Sequence, residues 1–216
     1  MRKLFNKKDQ ASIGIGAMIV FIAMVLVAGI AASVLIQTST TLESQAMATG
    51  RETTDEVAGG IAIFDIEGHV STDIDGLAIT VRSRAGSPDI DLNNTVILLS
   101  EGNKKNLLYY DYGTSSHFNS TVNESDAKVF GFNYDDLEDY EFGIMVLKDP
   151  DTSLSRYNPV LNRGDKVMLF VDTNECFDSI GERTEVFGYV YPEHGSPGVI
   201  SFRTPASYSD TVYDLQ

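Results

Sequence analysis

Tryptophan is absent from this chain, and cysteine occurs once, at Cys176. A lone thiol excludes an intramolecular disulfide and any metal site built from several cysteines. Cys176 follows a probable strand, KVMLFV, with no base paired to it in the sequence, so a packed thiol is expected rather than a nucleophile. Positive charge is also scarce: 16 Lys and Arg stand against 31 Asp and Glu, a formal net charge of −15. Four of the basic residues and one acid precede Ser12, which leaves 12 positive and 30 negative charges on the remainder. Such a body repels phosphate backbones, which argues against nucleic acid as a partner. His69, His117 and His194 are scattered among expected turns, with no HExxH or other tight ligand spacing. Nucleophile-elbow, phosphate-loop and solenoid or propeller repeat patterns are missing as well. Nothing in these patterns points to an enzyme.

The longest absence is of charge itself. No charged residue lies between Asp9 and Glu43, and Ile13 to Ile36 reads IGIGAMIVFIAMVLVAGIAASVLI. That suffices to cross about 30 Å of hydrocarbon as a helix of roughly 20 apolar residues. Arg2, Lys3, Lys7 and Lys8 precede it and would stay on the cytoplasmic side. An ordinary secretory signal is shorter and ends at a small-x-small cleavage site, whereas this run flows into more helical sequence. Gly14, Gly16, Ala28 and Gly29 are spread among large side chains such as Phe21, Met24 and Leu35. Small residues let helices approach closely where packing rather than water exclusion holds them together. Glycine and β-branched residues weaken a lone helix in water, so this segment requires lipid or many copies of itself.

The expected domains are therefore a basic leader over residues 1–11, a helix over 12–58, and an acidic β-rich domain over 59–216. The helix would be on the order of 70 Å long, with Gly59-Gly60 ending it. Beyond it, IAIFDI, LAITVRS, TVILLS, NLLYY, KVFGF, EFGIMVL, KVMLFV, VFGYVY and VISF are short β-prone runs between turn residues. Asp65–Gly68, Ser87–Asp89, Asn162–Asp165 and Glu193–Gly198 read as turns. The fold class is α+β: a long hydrophobic helix followed by an all-β sandwich or barrel-like outer domain.

The segment SIGIGAMIVFIAMVLVAGIAASVLIQTSTTLESQA resembles the start of archaeal flagellins (archaellins), which have a short basic leader, then GIG, then a helix of this kind. Near the other end, Leu161–Val167 (LNRGDKV) and Tyr191–Ile200 (YPEHGSPGVI), with Arg203-Thr204-Pro205 and the closing Leu215-Gln216, are similar to the same family. The resemblance implies a type IV pilin-like architecture with a class III signal peptide, removed by a prepilin-type peptidase. Ala11 stands where the family has Gly before the cut, so Ser12 would begin the mature chain, with Gln10/Ala11 as the alternative bond. The precursor would be held in the membrane, passed to the archaellum export and motor platform, and polymerised outside the cell for swimming with copies of itself or other archaellins. Gly14, Gly16, Phe21, Met24, Ala28, Gly29 and Leu35 would then pack the filament core. The alternatives are an archaeal type IV adhesion pilin and a membrane-anchored extracellular β-domain binding protein.

Asn93, Asn119 and Asn123 each begin an N-x-Ser/Thr sequon. A sequon alone is a weak motif, but the implied extracellular placement makes N-linked glycans expected, with Asn119 and Asn123 in the loop-like SSHFNSTVNES favoured. Asp73/Asp75, Asp89/Asp91 and the acidic residues of 135–139 offer oxygen ligands for calcium without forming an EF-hand loop. Polar turns and a solvated acidic surface explain them better, so no metal ligand is assigned and structural calcium rests on the resemblance alone.

Overall fold

The computed structural model describes residues 7–102, 104–114, 117–120, 130, 137 and 140–216. It separates into two units, one ending at Glu52 and the other running Thr53–Gln216. Helix α1 spans Lys7–Ala58, 52 residues, or about 78 Å. It starts earlier than Ser12 because Lys7–Ala11 contains neither glycine nor proline and is rich in good helix formers. At the apolar-to-polar transition, Thr38 donates its hydroxyl to Leu35 O at 3.0 Å, and Thr40 and Thr41 both donate to Gln37 O at 2.9 Å. This back-bonding satisfies hydroxyls without leaving the helix. From Ser12 to Ala58 every residue is exposed, including all the large aliphatics between Ile13 and Ile36.

The second unit is built of short strands: β1 (Ile61–Val70), β2 (Ile74–Ser83), β3 (Ile90–Asp91), β4 (Val96–Glu101), β5 (Lys104–Leu108), β6 (Phe118–Ser120), β7 (Gly143–Lys148), β8 (Leu154–Ser155), β9 (Asn158–Leu161), β10 (Lys166–Asp172), β11 (Glu185–Tyr191), β12 (Gly198–Arg203) and β13 (Val212–Asp214). A 3₁₀ turn, Leu92–Asn94, and a short helix α2, Thr173–Phe177, complete it. One sheet has the order β13-β1-β2-β10-β7-β6, a second β12-β11-β4-β5, and a small third β3-β9-β8. The pairing is antiparallel except between β6 and β7. Neither large sheet closes on itself, which favours a sandwich over a barrel. Ile66, Leu77 and Leu169 from the first sheet share one core with Ile97, Val186 and Ile200 from the second. A smaller cluster of Ala78, Met145, Met168 and Phe170, with Leu137 and Phe130, forms separately.

Several expectations change. Asp65–Gly68 is not a turn but the middle of β1: Ile66 is fully buried opposite Ile79, and Gly68 pairs with both Leu77 and Tyr213. The polar C-terminal strand that completes this pairing lies far away in sequence, so local composition misleads. KVFGF lies outside the described residues apart from Phe130, which meets Phe170 edge-on at 6.5 Å. Strands β3, β6, β8, β9 and β13 are additional. Cys176 is a buried thiol on α2, as its sequence context indicates.

Candidate functional site

Along α1, Gly14, Phe21, Ala28 and Leu35 recur at seven-residue intervals and form one slowly drifting stripe. Met24 borders this stripe, while Gly16 and Gly29 fall on other sides. A methyl group added at Gly14, Gly16 or Gly29 would meet nothing within 4 Å. These residues therefore present small and large apolar surface on more than one side of α1, all of it exposed.

The end of that helix is fastened in the second unit. Gly59 N–H donates to Asp55 O at 2.9 Å, and Gly60 has a φ of 128°. The chain at Gly59–Ile61 then exchanges bonds with the loop before β12: Ser196 N–H donates to Gly59 O at 3.0 Å and Ile61 N–H to Ser196 O at 3.3 Å. Backbone meets backbone here, and a Cβ on Gly195 (φ 90°) would lie 2.4 Å from the carbonyl carbon of Gly59. His194 and Glu193 in this loop stand 3.7 Å apart and face solvent.

The histidines expected in turns divide. His69 lies within β1, its Nδ1 2.6 Å from Asp75 Oδ1. His117 is 1% exposed, with Nε2 3.6 Å from Glu141 Oε2. Asp111 joins this pair, although its carboxylate already accepts from Gly113 N–H and the Thr114 hydroxyl.

A second acidic group was not evident in the sequence. The β8–β9 hairpin brings Asp149 and Asp151, before it, to Asp165, after it, so that one oxygen from each lies within 4.8 Å of the others. Asp149 accepts from Ser153 and Leu154 N–H at 3.2 and 3.1 Å. Asp165 Oδ2 accepts from Asn162 N–H at 2.9 Å and from the Ser153 hydroxyl at 3.3 Å. Asp165 is 2% exposed, and its Oδ1 is buried with no hydrogen-bond partner. Burial, reinforced by Asp149 and Asp151, outweighs the Asn162 hydrogen bond and raises the Asp165 pKa above the ordinary carboxylate value. The Asn162 side chain, first among several hydrogen bonds, lowers that of Asp151. Three carboxylates around an orphaned buried oxygen fit a hard divalent cation with oxygen ligands.

Three of the acids singled out from sequence are engaged otherwise. Asp73 accepts from Ser179, Asp75 meets His69, and Asp91 accepts from Asn93 N–H. Asp135, Asp136, Glu138 and Asp139 lie outside the described residues, as does Asn123. Asn119 is not in a loop: it sits half-buried on β6, opposite Met145, because Phe118–Ser120 adds a parallel strand to β7. Asn93 is half-buried in the 3₁₀ turn.

Residues 11–202 match the family described as archaeal-type flagellin. This chain belongs to the archaeal-type flagellins. Flagellin B2 of Methanocaldococcus jannaschii is 42% identical over 98% of this chain and 97% of its own length. Flagellin B3 of Methanococcus voltae is 38% identical with both chains covered completely. Among solved structures, archaeal flagellin FlaB1 of M. jannaschii superposes with a TM-score of 0.66 at 34% identity, over 74% of this chain and 98% of that one. The archaeal flagellum of Methanospirillum hungatei, at 14% identity and a TM-score of 0.61, shares the fold. The flagellin likeness thus runs through the middle of the chain as well as the two ends that carry the motifs.

Proposed function

We infer that this flagellin is a structural, non-enzymatic subunit of the archaellum filament, and that it polymerises through α1. The observation that carries this is the wholly exposed apolar stretch of α1. An apolar patch of that extent in water marks an interaction surface, and lipid and aliphatic side chains are the two environments that accept it. The protein belongs outside the cell in the archaellum, with its precursor held in the membrane by the same helix.

Finer steps follow from this. A prepilin-type peptidase cuts between Ala11 and Ser12, with the small Ala11 side chain at the position before the bond. The archaellum export and motor platform then transfers α1 from lipid into a core of identical or related helices, where Gly14, Gly16, Phe21, Met24, Ala28, Gly29 and Leu35 make close contacts. Asn93, Asn119 and Asn123 are the candidate acceptors for N-linked glycans, which would add bulk and solvation to the outer surface. A divalent cation between Asp149, Asp151 and Asp165 would join the two ends of the β8–β9 hairpin and neutralise a buried carboxylate.

The intact mass and N-terminal peptide of the protein in sheared surface filaments test this. A polymeric product beginning at Ser12 is expected. A protein still carrying its leader and found only in membranes would overturn the filament role and favour an anchored binding module.

A further inference from the structure

Beyond the leader, thirty carboxylates accompany twelve lysines and arginines. Four of those twelve nevertheless converge on one cleft. A cavity of about 450 Å³ is lined by Arg82, Arg84, Arg163 and Lys166. Lys166, at the start of β10, is also directly opposite Lys148 at the end of β7, an unfavourable cross-strand pairing of like charges. Beside the cleft, Phe64 is 57% exposed, with Lys166 Nζ 4.6 Å and Arg82 Cζ 5.6 Å from its ring centre.

These cations lack the partners that an acidic chain could readily supply. Lys104 and Arg203 each have a carboxylate within 4.0 Å, at Asp178 and Glu185. Among the described residues, Arg82, Arg84, Lys148, Arg163 and Lys166 have none. Arg84 Nε donates to Ile61 O at 3.3 Å. The acid in the cleft wall, Asp165, accepts instead from Asn162 and Ser153 in the adjoining loop.

We propose that this cleft is the socket for carboxylates of a second copy of the chain. The inference rests on the filament reading, in which each subunit's neighbours are further copies. Without the leader each copy carries a net charge of −18, so neighbouring bodies repel one another over roughly the 8 Å screening length of physiological salt. Close approach requires a local region of opposite sign, which also fixes register and disfavours wrong alignments. A basic cleft meeting an acidic surface is a contact between different patches, and repeated head to tail it extends an open helix where the rotation does not close a ring. The bulk charge of the chain disfavours nucleic acid as the occupant.

Carbodiimide treatment of wild-type filaments tests this, because it joins a lysine amine to a touching carboxylate. A covalent dimer containing Lys166 linked to an Asp or Glu peptide is expected. Lys166→Arg should keep filament yield within about twofold and reduce the dimer about fivefold or more, since the charge remains and the reactive amine is lost. A dimer of undiminished intensity in that variant, or no linked Lys166 peptide, overturns the proposal. So does loss of the dimer in inorganic phosphate from filaments that stay intact, which would make the cleft a small-anion site. Separately, the double variant Arg82→Glu/Arg163→Glu should lower filament yield about fivefold or more at constant membrane precursor, while Arg82→Lys/Arg163→Lys stays within about twofold. Wild-type yield from the charge-reversed chain sinks the proposal and leaves the filament role standing. Absence of filaments from the wild-type chain removes both.

Discussion

Two residues show how single atoms govern the β-rich unit. At Gly195 the obstacle is space and backbone conformation together: φ is 90°, and a methyl group would strike the backbone of Gly59. Gly195→Ala should cost about 3 kcal/mol, combining an unfavourable φ with a displaced backbone bond. Thermal unfolding of the variant checks this, and an unchanged Tm would contradict the contact. At Asp165 the issue is charge. Its raised pKa means that ionisation opposes folding in the absence of a cation, so this group contributes stability as pH falls through the folded pKa toward the unfolded one. A cation reverses the sign by favouring the ionised form. Calcium should therefore raise the Tm near neutral pH, and the increment should fade on acidification at a higher pH than for an ordinary aspartate. Asp165→Asn should leave the Tm in chelator equal or slightly higher, and abolish the calcium increment. A calcium increment of the same size in the variant would rule Asp165 out as a ligand. These two residues differed in legibility. Gly195 stood in a recognisable PEHGSPG turn, whereas Asp165 and Asp151 are separated by a whole hairpin and offered no spacing motif.

Among the elements, α1 was the most legible, because an uncharged run and the following Gly-Gly are local signals. Strands with a buried face, such as β2, β10 and β11, were legible for the same reason: their apolar residues recur in the chain itself. Strands at the margins were not. β13 reads Val-Tyr-Asp and gains its place by pairing with β1, while β6 becomes a strand only beside β7. The prediction that belongs to α1 is electrostatic. Ala28→Lys or Gly29→Lys should block incorporation into filaments, since a lysine among packed helices has no assigned partner and costs several kcal/mol to bury unpaired. Filament yield and motility are the measurements, and normal values for both would refute a helix-lined core.

For the molecule as a whole, chemistry is divided by sign as well as by polarity: a basic leader, a helix uncharged between Asp9 and Glu43, and an acidic sheet unit. The proposed glycosylation is open to mass spectrometry. Replacing Asn119 and Asn123 together with Gln should remove glycan mass from the corresponding peptides, and unchanged glycopeptide masses would eliminate both acceptors. The assignment to a filament was legible because those large divisions are compositional. The acidic hairpin site and the basic cleft were hidden because each assembles residues from strands that meet only in three dimensions.

The bare surface of α1 has a further consequence for supply. A chain whose helix accepts hydrocarbon or its own kind has almost no dissolved population in water. Growth of the polymer then depends on how many subunits occupy each unit area of membrane, not on their number per volume of cytoplasm. The bilayer serves as a two-dimensional reservoir, and filament length becomes tied to how fast that sheet of lipid is refilled.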